Sequence, residues 1–144
     1  MTRVVSLRVF PVKGCRPIPL ESARVAPTGL LYDRHWMVVS ADTGRFITQR
    51  QESKLCQVAV NLPPEALLGE AWGKLAPGAA LELSTAGMPA LHVPLTDPAA
   101  PVPPSALRTV TVWDFTGTAA DEGDEAAAWF TQLLGRPARL VRCV

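Results

Sequence analysis

The chain has 144 residues, of which 48% are hydrophobic and 19% are charged, so it can bury a core and is not globally disordered. Its net charge of +1 argues against a protein that binds nucleic acid over its whole surface. The charge is uneven, because residues 1–54 carry a net +5 and residues 55–144 a net −4. This asymmetry matters only where particular basic side chains converge.

The N-terminal third shows the alternation of apolar and polar residues that is typical of half-buried strands. The first strand is predicted over residues 5–9, where Val5, Leu7 and Val9 alternate with Ser6 and Arg8. Further strands are predicted over residues 18–25, 35–40, 45–49 and 54–60. The turn residues between 40 and 45 indicate that the strands predicted over 35–40 and 45–49 form a hairpin.

The middle of the chain is rich in proline, alanine and glycine. It predicts two short strands, over residues 81–84 and 90–93, and a loop over residues 98–104 that cannot join a sheet.

The C-terminal part begins with an alternating strand over residues 109–113 and a predicted loop over 114–123. A helix is predicted over Asp124–Leu134, because its apolar residues share one face and Gly135 and Pro137 end it. A last strand follows over 139–144. About seven strands and one helix predict a mainly β, α+β fold, a small β-barrel with one C-terminal helix packed on it.

Several kinds of site are not indicated. The chain has no glycine-rich phosphate loop and no nucleophile elbow. Its histidines and cysteines have no metal-ligand spacing, so no metal site and no catalytic residue is predicted. Cys15 and Cys143 are interpreted as buried structural thiols. The acidic run at 121–125 is interpreted as a solvated helix N-terminus.

The aromatic residues of the strand and helix patterns are predicted to lie in the core rather than to form a stacking surface: Trp36, Trp113, Trp129 and Phe130. The N-terminus enters a strand pattern directly, with no leader and no membrane-length apolar run. We therefore expect an intracellular, cytoplasmic protein with no membrane segment in this chain.

Two basic segments are the candidate binding residues. Lys13 lies in a tight loop beside Gly14, whose missing side chain permits close approach of a ligand. Arg34 lies at the start of the predicted hairpin, and Arg45 and Arg50 on it are weaker candidates. Lysine offers a point charge and arginine a planar fork, and both suit phosphate. An ordinary ion pair of Arg34 with Asp33 or Glu52 is an equal alternative.

The same segments carry a resemblance. Pro11–Cys15, Gly29–Val39, Thr48–Glu52 and residues 112–141, in this order, resemble the N-terminal β-barrel domain that precedes MOSC domains. This domain pair is found in the mitochondrial amidoxime-reducing component, its bacterial relatives and molybdenum cofactor sulfurase. The resemblance covers essentially the whole chain, and only the proline-rich middle is generic.

The resemblance implies a molybdenum cofactor (molybdopterin) shared with a MOSC domain that supplies the metal-binding cysteine. It implies that Lys13, Gly14 and Arg34 contact the pterin and its phosphate, in an oxidoreductase that reduces N-hydroxylated compounds. Gly14 departs from the family, which often has serine here, so a hydroxyl is lost while the backbone N–H remains.

The resemblance also implies how the chain is organised. Residues 1–144 would be a single N-terminal β-barrel domain without its MOSC domain, so the chain would not be catalytic alone and would need a MOSC partner in cis or in trans. Two alternatives stay open. The chain is a stand-alone binding or scaffold module that has lost the cofactor, or it is an independent enzyme with an unrelated site.

Overall fold

The computed structural model describes residues 1–144 and is mainly β. Its helices are α1 (Pro64–Leu67) and α2 (Asp124–Leu134), and short 3-10 helices span Ser53–Gln57, Trp72–Lys74 and Pro104–Ala106. The strands are β1 (Leu7–Val9), β2 (Ile18–Leu20), β3 (Val25–Ala26), β4 (Gly29–Leu30), β5 (Trp36–Ser40), β6 (Ala59–Asn61), β7 (Ala80–Ser84), β8 (Leu91–Pro94), β9 (Leu107–Val112), β10 (Phe115–Asp121) and β11 (Ala138–Arg142).

The main sheet is antiparallel, with the strand order β5-β11-β10-β9. The C-terminal strand β11 therefore lies between an N-terminal strand and the β9–β10 hairpin. Its register is set by pairs such as Leu140 with Val38 and Arg142 with Trp36. A second sheet has the order β6-β7-β8, and β1-β2 and β3-β4 are small hairpins.

The segment of residues 44–47 joins the two edges of the main sheet. On one side, the Ser40 N–H donates to the Arg45 carbonyl and the Ile47 N–H to the Val38 carbonyl, both at 2.8 Å. On the other side, the Phe46 N–H donates to the Thr111 carbonyl at 3.0 Å. Edges that find partners in this way curl the sheet into a barrel-like form.

Gly44 makes this closure possible. Its φ is +71°, in the region that favours glycine, and the Thr111 N–H donates to its carbonyl at 3.0 Å. A Cβ atom built there would lie 2.3 Å from the Thr109 carbonyl oxygen, which is backbone and cannot move aside cheaply. The close approach of the two segments therefore excludes every other residue.

Helix α2 covers one face of the main sheet. Its apolar positions recur at helical spacing, and Asp124 and Glu125 favour the positive end of the helix dipole. Phe130 is fully buried and belongs with Leu140 of β11 to a core of 22 buried residues, which extends to the β6-β7-β8 sheet. The opposite face carries a small apolar cluster of Val39, Val110, Ala119 and Val141.

Asp121 connects three elements at the end of β10. Its side chain is only 4% exposed and pairs with Arg139 of β11 and with Arg108 of β9, the latter at 2.8 Å. Arg139 also contacts Asp124 at the start of α2 at 2.7 Å. Burial alone would raise the pKa of Asp121, but hydrogen bonds from Arg139, the Gly123 N–H and Arg108 outweigh burial and hold this pKa below its ordinary value.

The fold class predicted from the sequence is confirmed: a mainly β, barrel-like fold with a C-terminal helix over Asp124–Leu134. Several local predictions are wrong. The strand predicted over 45–49 is reduced to isolated bridges at Arg45 and Phe46. Residues 54–60 begin as a 3-10 helix, and only the short strand β6 follows. Residues 114–123 are not a loop, because β10 spans most of them. Asp121 is buried rather than solvated. No helix has the length and apolarity needed to cross a membrane.

We expect Gly44→Ala to lower the free energy of unfolding by about 2–4 kcal/mol, from the backbone clash and the left-handed conformation together. The matched control is Gly78→Ala, whose φ is +79° and whose Cβ would meet open space. The free energy of unfolding of that variant should fall by only about 1 kcal/mol. Urea unfolding of both variants measures the difference, and equal losses would show that the closure is not tight.

We expect Asp121→Ala to cost about 2–4 kcal/mol of stability at neutral pH, because two arginines lose a buried partner. The control, Asp124→Ala, removes a carboxylate that is 98% exposed and should cost much less. Because the pKa of Asp121 is depressed, its contribution is full above the ordinary aspartate pKa and is lost as pH falls below it. Unfolding curves at several pH values below neutrality test this, and a wild type whose advantage over Asp121→Ala stays constant into acid would contradict it.

Candidate functional site

Two basic residues far apart in the sequence are brought together by their backbones. Residues 10–13, after β1, run beside residues 34–36, at the start of β5. The Arg34 N–H donates to the Phe10 carbonyl at 2.7 Å, and the Lys13 N–H donates to the Trp36 carbonyl at 2.9 Å. These bonds fix Lys13 and Arg34 at the same edge of the molecule.

Asp33 holds the Arg34 turn in place. Its Oδ1 accepts the Phe10 N–H at 2.9 Å, and its Oδ2 accepts Arg34 Nη1 at 2.6 Å. The Arg34 backbone has a φ of +50°, and its guanidinium lies 4.7 Å from the centre of the Phe10 ring. Arg34 therefore does form the ion pair with Asp33 that the sequence left open. It does not pair with Glu52, which pairs with Arg136 at 3.5 Å instead. The Arg34 side chain remains 56% exposed.

Lys13 and Arg34 line a cavity of about 320 Å³, here called the basic pocket. None of its lining residues is acidic: Phe10, Lys13, Gly14, Cys15, Arg16, Pro17, Arg34, Gln49 and Cys56. Lys13 forms no ion pair or hydrogen bond through its ammonium group, although that group lies 5.2 Å from the centre of the Phe46 ring. The Gly14 N–H donates no hydrogen bond within the chain.

Gly14 and Cys15 complete the turn of the basic pocket. Gly14 has a φ of +88°, which favours glycine over the serine that the resemblance led us to expect. Cys15 is 4% exposed, and burial, with a smaller effect of nearby Cys56, raises its pKa to about 12. It is a buried protonated thiol, as predicted. Cys143 is exposed because β11 ends at Arg142, so the prediction of a buried thiol there is wrong.

A second, larger cavity of about 740 Å³ adjoins the basic pocket and shares Lys13 and Arg34 with it; we call it the apolar groove. Its apolar wall follows the face of the main sheet opposite α2 and the β9–β10 hairpin: Met37, Val110, Val112, Trp113, Phe115, Ala119, Val141 and Val144. Trp113 is 61% exposed and Phe115 is 68% exposed. Trp113 is thus not a core residue, whereas Trp36, Trp129 and Phe130 are buried as predicted.

A largely enclosed carboxylate, that of Glu122, contacts two residues that line the apolar groove. Glu122 accepts hydrogen bonds from Trp36 Nε1 and pairs with Arg142 Nε, both at 3.1 Å. Burial raises the pKa of Glu122, although Trp36 and Arg142 act in the opposite direction. Burial and then the charge of Arg142 lower the pKa of His35 to about 4. His35, which lines the apolar groove, is therefore neutral at pH 7. The positive charge in that groove comes from lysine and arginine side chains.

The weaker candidates lie elsewhere, since neither Arg45 nor Arg50 lines either cavity. Sequence reasoning missed Phe46, which lies between Lys13 and Trp113, with the Trp113 ring centre 4.9 Å away. It also missed the two-residue turn of the β9–β10 hairpin, Trp113-Asp114, which carries no glycine signal in the sequence.

Comparisons of the sequence with a family model and with curated proteins match nearly the whole chain. A family model described as the MOSC N-terminal beta barrel domain matches residues 1–137. Molybdenum cofactor sulfurase of Danio rerio is 36% identical over 141 residues, and mitochondrial amidoxime reducing component 2 of Homo sapiens is 29% identical over 144. Each alignment covers 96% of this chain.

The chain spans only 15% of the length of the first of these relatives and 37% of the second. A Bordetella bronchiseptica protein solved in solution has a similar fold, with a TM-score of 0.57 and 23% identity. That likeness covers 87% of this chain and 90% of the other, and at this identity it speaks for the fold alone.

We expect Asp33→Ala to lower the free energy of unfolding by about 1–3 kcal/mol, because the partly buried Phe10 N–H loses its acceptor. Asp33→Asn keeps an oxygen for that N–H and should recover much of the loss. Thermal and urea unfolding measure both variants. An asparagine variant as unstable as the alanine variant would show that the ion pair with Arg34, rather than the turn, is what matters.

Proposed function

The chain belongs to the family of MOSC N-terminal beta barrel domains, and on that premise we propose that it forms one wall of a molybdenum-cofactor site. Lys13, the Gly14 N–H and Arg34 bind the pterin and its phosphate in this proposal. The observation that carries it is the convergence of Lys13 and Arg34 in one pocket without an acidic lining residue.

The donor set of the basic pocket fits a phosphorylated pterin. Lys13 has no carboxylate partner, and the Gly14 N–H has no acceptor within the chain, so both are available to a ligand. Arg34 shares its charge with Asp33 but leaves donors free, because its guanidinium has five N–H groups and only one is bonded. Charge-assisted hydrogen bonds of this kind are the strong ones in anion recognition.

When bound, the cofactor supplies a redox-active metal. The residues of this chain hold its anionic end and exclude water from one side of it. The basic pocket offers no ready metal ligand from Cys15, which is buried and protonated. Cys56 also lines the pocket and is exposed, so the burial of Cys15 alone does not decide the ligand. From the resemblance to the two-domain family, we propose that a MOSC domain, in cis or in trans, supplies the ligand to the metal.

The names of the relatives support a more specific proposal about the reaction of the assembled protein. One relative is a molybdenum cofactor sulfurase and another an amidoxime reducing component. We propose that the assembled protein is an oxidoreductase that reduces N-hydroxylated compounds, and that this chain is not catalytic by itself.

The test is a fluorescence titration of the purified chain with an oxidised pterin monophosphate at low salt. We expect Lys13→Ala and Arg34→Ala each to raise the Kd about tenfold, because each removes about 1.5 kcal/mol of charge-assisted bonding. Added salt should weaken binding to the wild type, since the contacts lie near the surface.

Two controls make the titration specific. Arg3→Ala removes a positive charge outside both cavities and should leave the Kd unchanged, and the dephosphorylated pterin should bind more weakly than the phosphate. If all variants bind the two pterins equally, the assignment of Lys13 and Arg34 fails. If the wild type binds neither, the chain is better described as a scaffold module without a cofactor.

A further inference from the structure

A row made of one cation and two aromatic rings connects the basic pocket to the tip of the β9–β10 hairpin. Lys13 Nζ lies 5.2 Å from the centre of the Phe46 ring, and the Phe46 and Trp113 ring centres are 4.9 Å apart at an angle of 62°. Phe46 is buried, whereas Trp113 is 61% exposed. The row thus begins at a cation that both cavities share and ends at an open aromatic surface in the apolar groove.

Trp113 occupies a position that usually takes glycine. Val112 pairs with Phe115, so Trp113 and Asp114 form the two-residue turn of the hairpin, and Trp113 has a φ of +52°. A first central residue with positive φ is typical of turns that have glycine there. A bulky residue in this region is strained, and such strain is concentrated at binding sites. The hairpin therefore holds a large ring, which contacts Phe46 and is still 61% exposed, in a backbone conformation that costs free energy.

The charges that face the apolar groove restrict its ligand. Lys13, Arg34 and Arg142 line it, whereas Asp114 is its one acidic lining residue. Arg142 is compensated by Glu122, and Asp33 takes part of the charge of Arg34. Lys13 remains uncompensated at the end of the groove next to the basic pocket. A cationic ligand is disfavoured there, and an anionic or oxygen-rich polar group is favoured.

We propose that the apolar groove is the substrate subsite of this half-site and binds a planar aromatic compound with an anionic or neutral polar group. The ring lies against Trp113 and Phe115, and the polar group lies near Lys13 and Arg34. This inference rests on the proposed function for the position of the ligand, because the shared cations place it beside the cofactor. The binding itself involves the groove alone.

The test is a titration of the ¹⁵N-labelled chain with 2-naphthoate, followed by NMR. We expect saturable shifts of the Trp113 indole N–H and of backbone signals from Val112 and Val141. The cation 2-naphthylmethylammonium should bind at least tenfold more weakly. A parallel titration with inorganic pyrophosphate reports on the basic pocket independently.

Trp113→Gly is the informative variant, because glycine adopts the positive φ of the turn and the hairpin should stay folded. It should weaken 2-naphthoate binding at least tenfold and leave pyrophosphate binding unchanged. Phe115→Ala should weaken the same ligand. Leu68→Ala removes an apolar side chain that is 61% exposed outside the groove and should have no effect.

Three results would overturn the inference. Trp113→Gly with wild-type affinity for 2-naphthoate would show that the ring is not the binding surface. Shifts confined to the basic pocket would show that the groove is not used. Groove signals that move with protein concentration alone would show that a second copy of the chain covers it. Pyrophosphate binding that persists in any of these cases would leave the proposed function standing.

Discussion

The backbone contact between Gly44 and Thr109 determines the form of the molecule. A side chain at residue 44 would collide with a carbonyl oxygen at 2.3 Å, so residues 44–47 reach β9 only because glycine stands there. Once this segment bonds to β5 and β9 together, the sheet curls and Phe46 is fixed beneath Lys13 and beside Trp113. This approach therefore places an aromatic ring next to Lys13, which borders both cavities and is itself fixed by its backbone bond to Trp36.

The two cavities differ in chemistry although they share residues. The basic pocket has free donors, Lys13 Nζ and the Gly14 N–H, in a setting without carboxylates. The apolar groove has a broad hydrophobic wall and one strained tryptophan. Glu122 compensates Arg142 on the wall of the apolar groove, and His35, which also lines that groove, stays neutral. In our proposals, the basic pocket holds an anion and the apolar groove holds a flat apolar body.

The sequence predicted what depends on local pattern. Asp124–Leu134 is helical because its periodicity, first-turn acids and Gly135 agree. Local pattern did not predict that Lys13, Gly14 and Arg34 line one cavity; the family resemblance suggested it. Prediction from the sequence failed where a residue's contacts come from distant parts of the chain. Asp121 looked solvated in an acidic run, but it is buried by Arg108 and Arg139, which approach from other strands. Trp113 fitted a strand pattern, yet it lies in a turn, and pattern alone does not locate a turn that lacks glycine.

The central place of β11 has a consequence for synthesis. Most of the chain separates Trp36 from its partner Arg142, and the Cys143 N–H donates to the His35 carbonyl at 2.9 Å. The ribosome must therefore synthesise about 100 further residues after β5 before β5 can pair with β11. Until then, the edges of β5 and β10 that face β11 remain unpaired, and such edges are prone to aggregate. Pairings of such sequence separation also slow folding, so these edges stay exposed for longer than those of a hairpin between neighbouring strands.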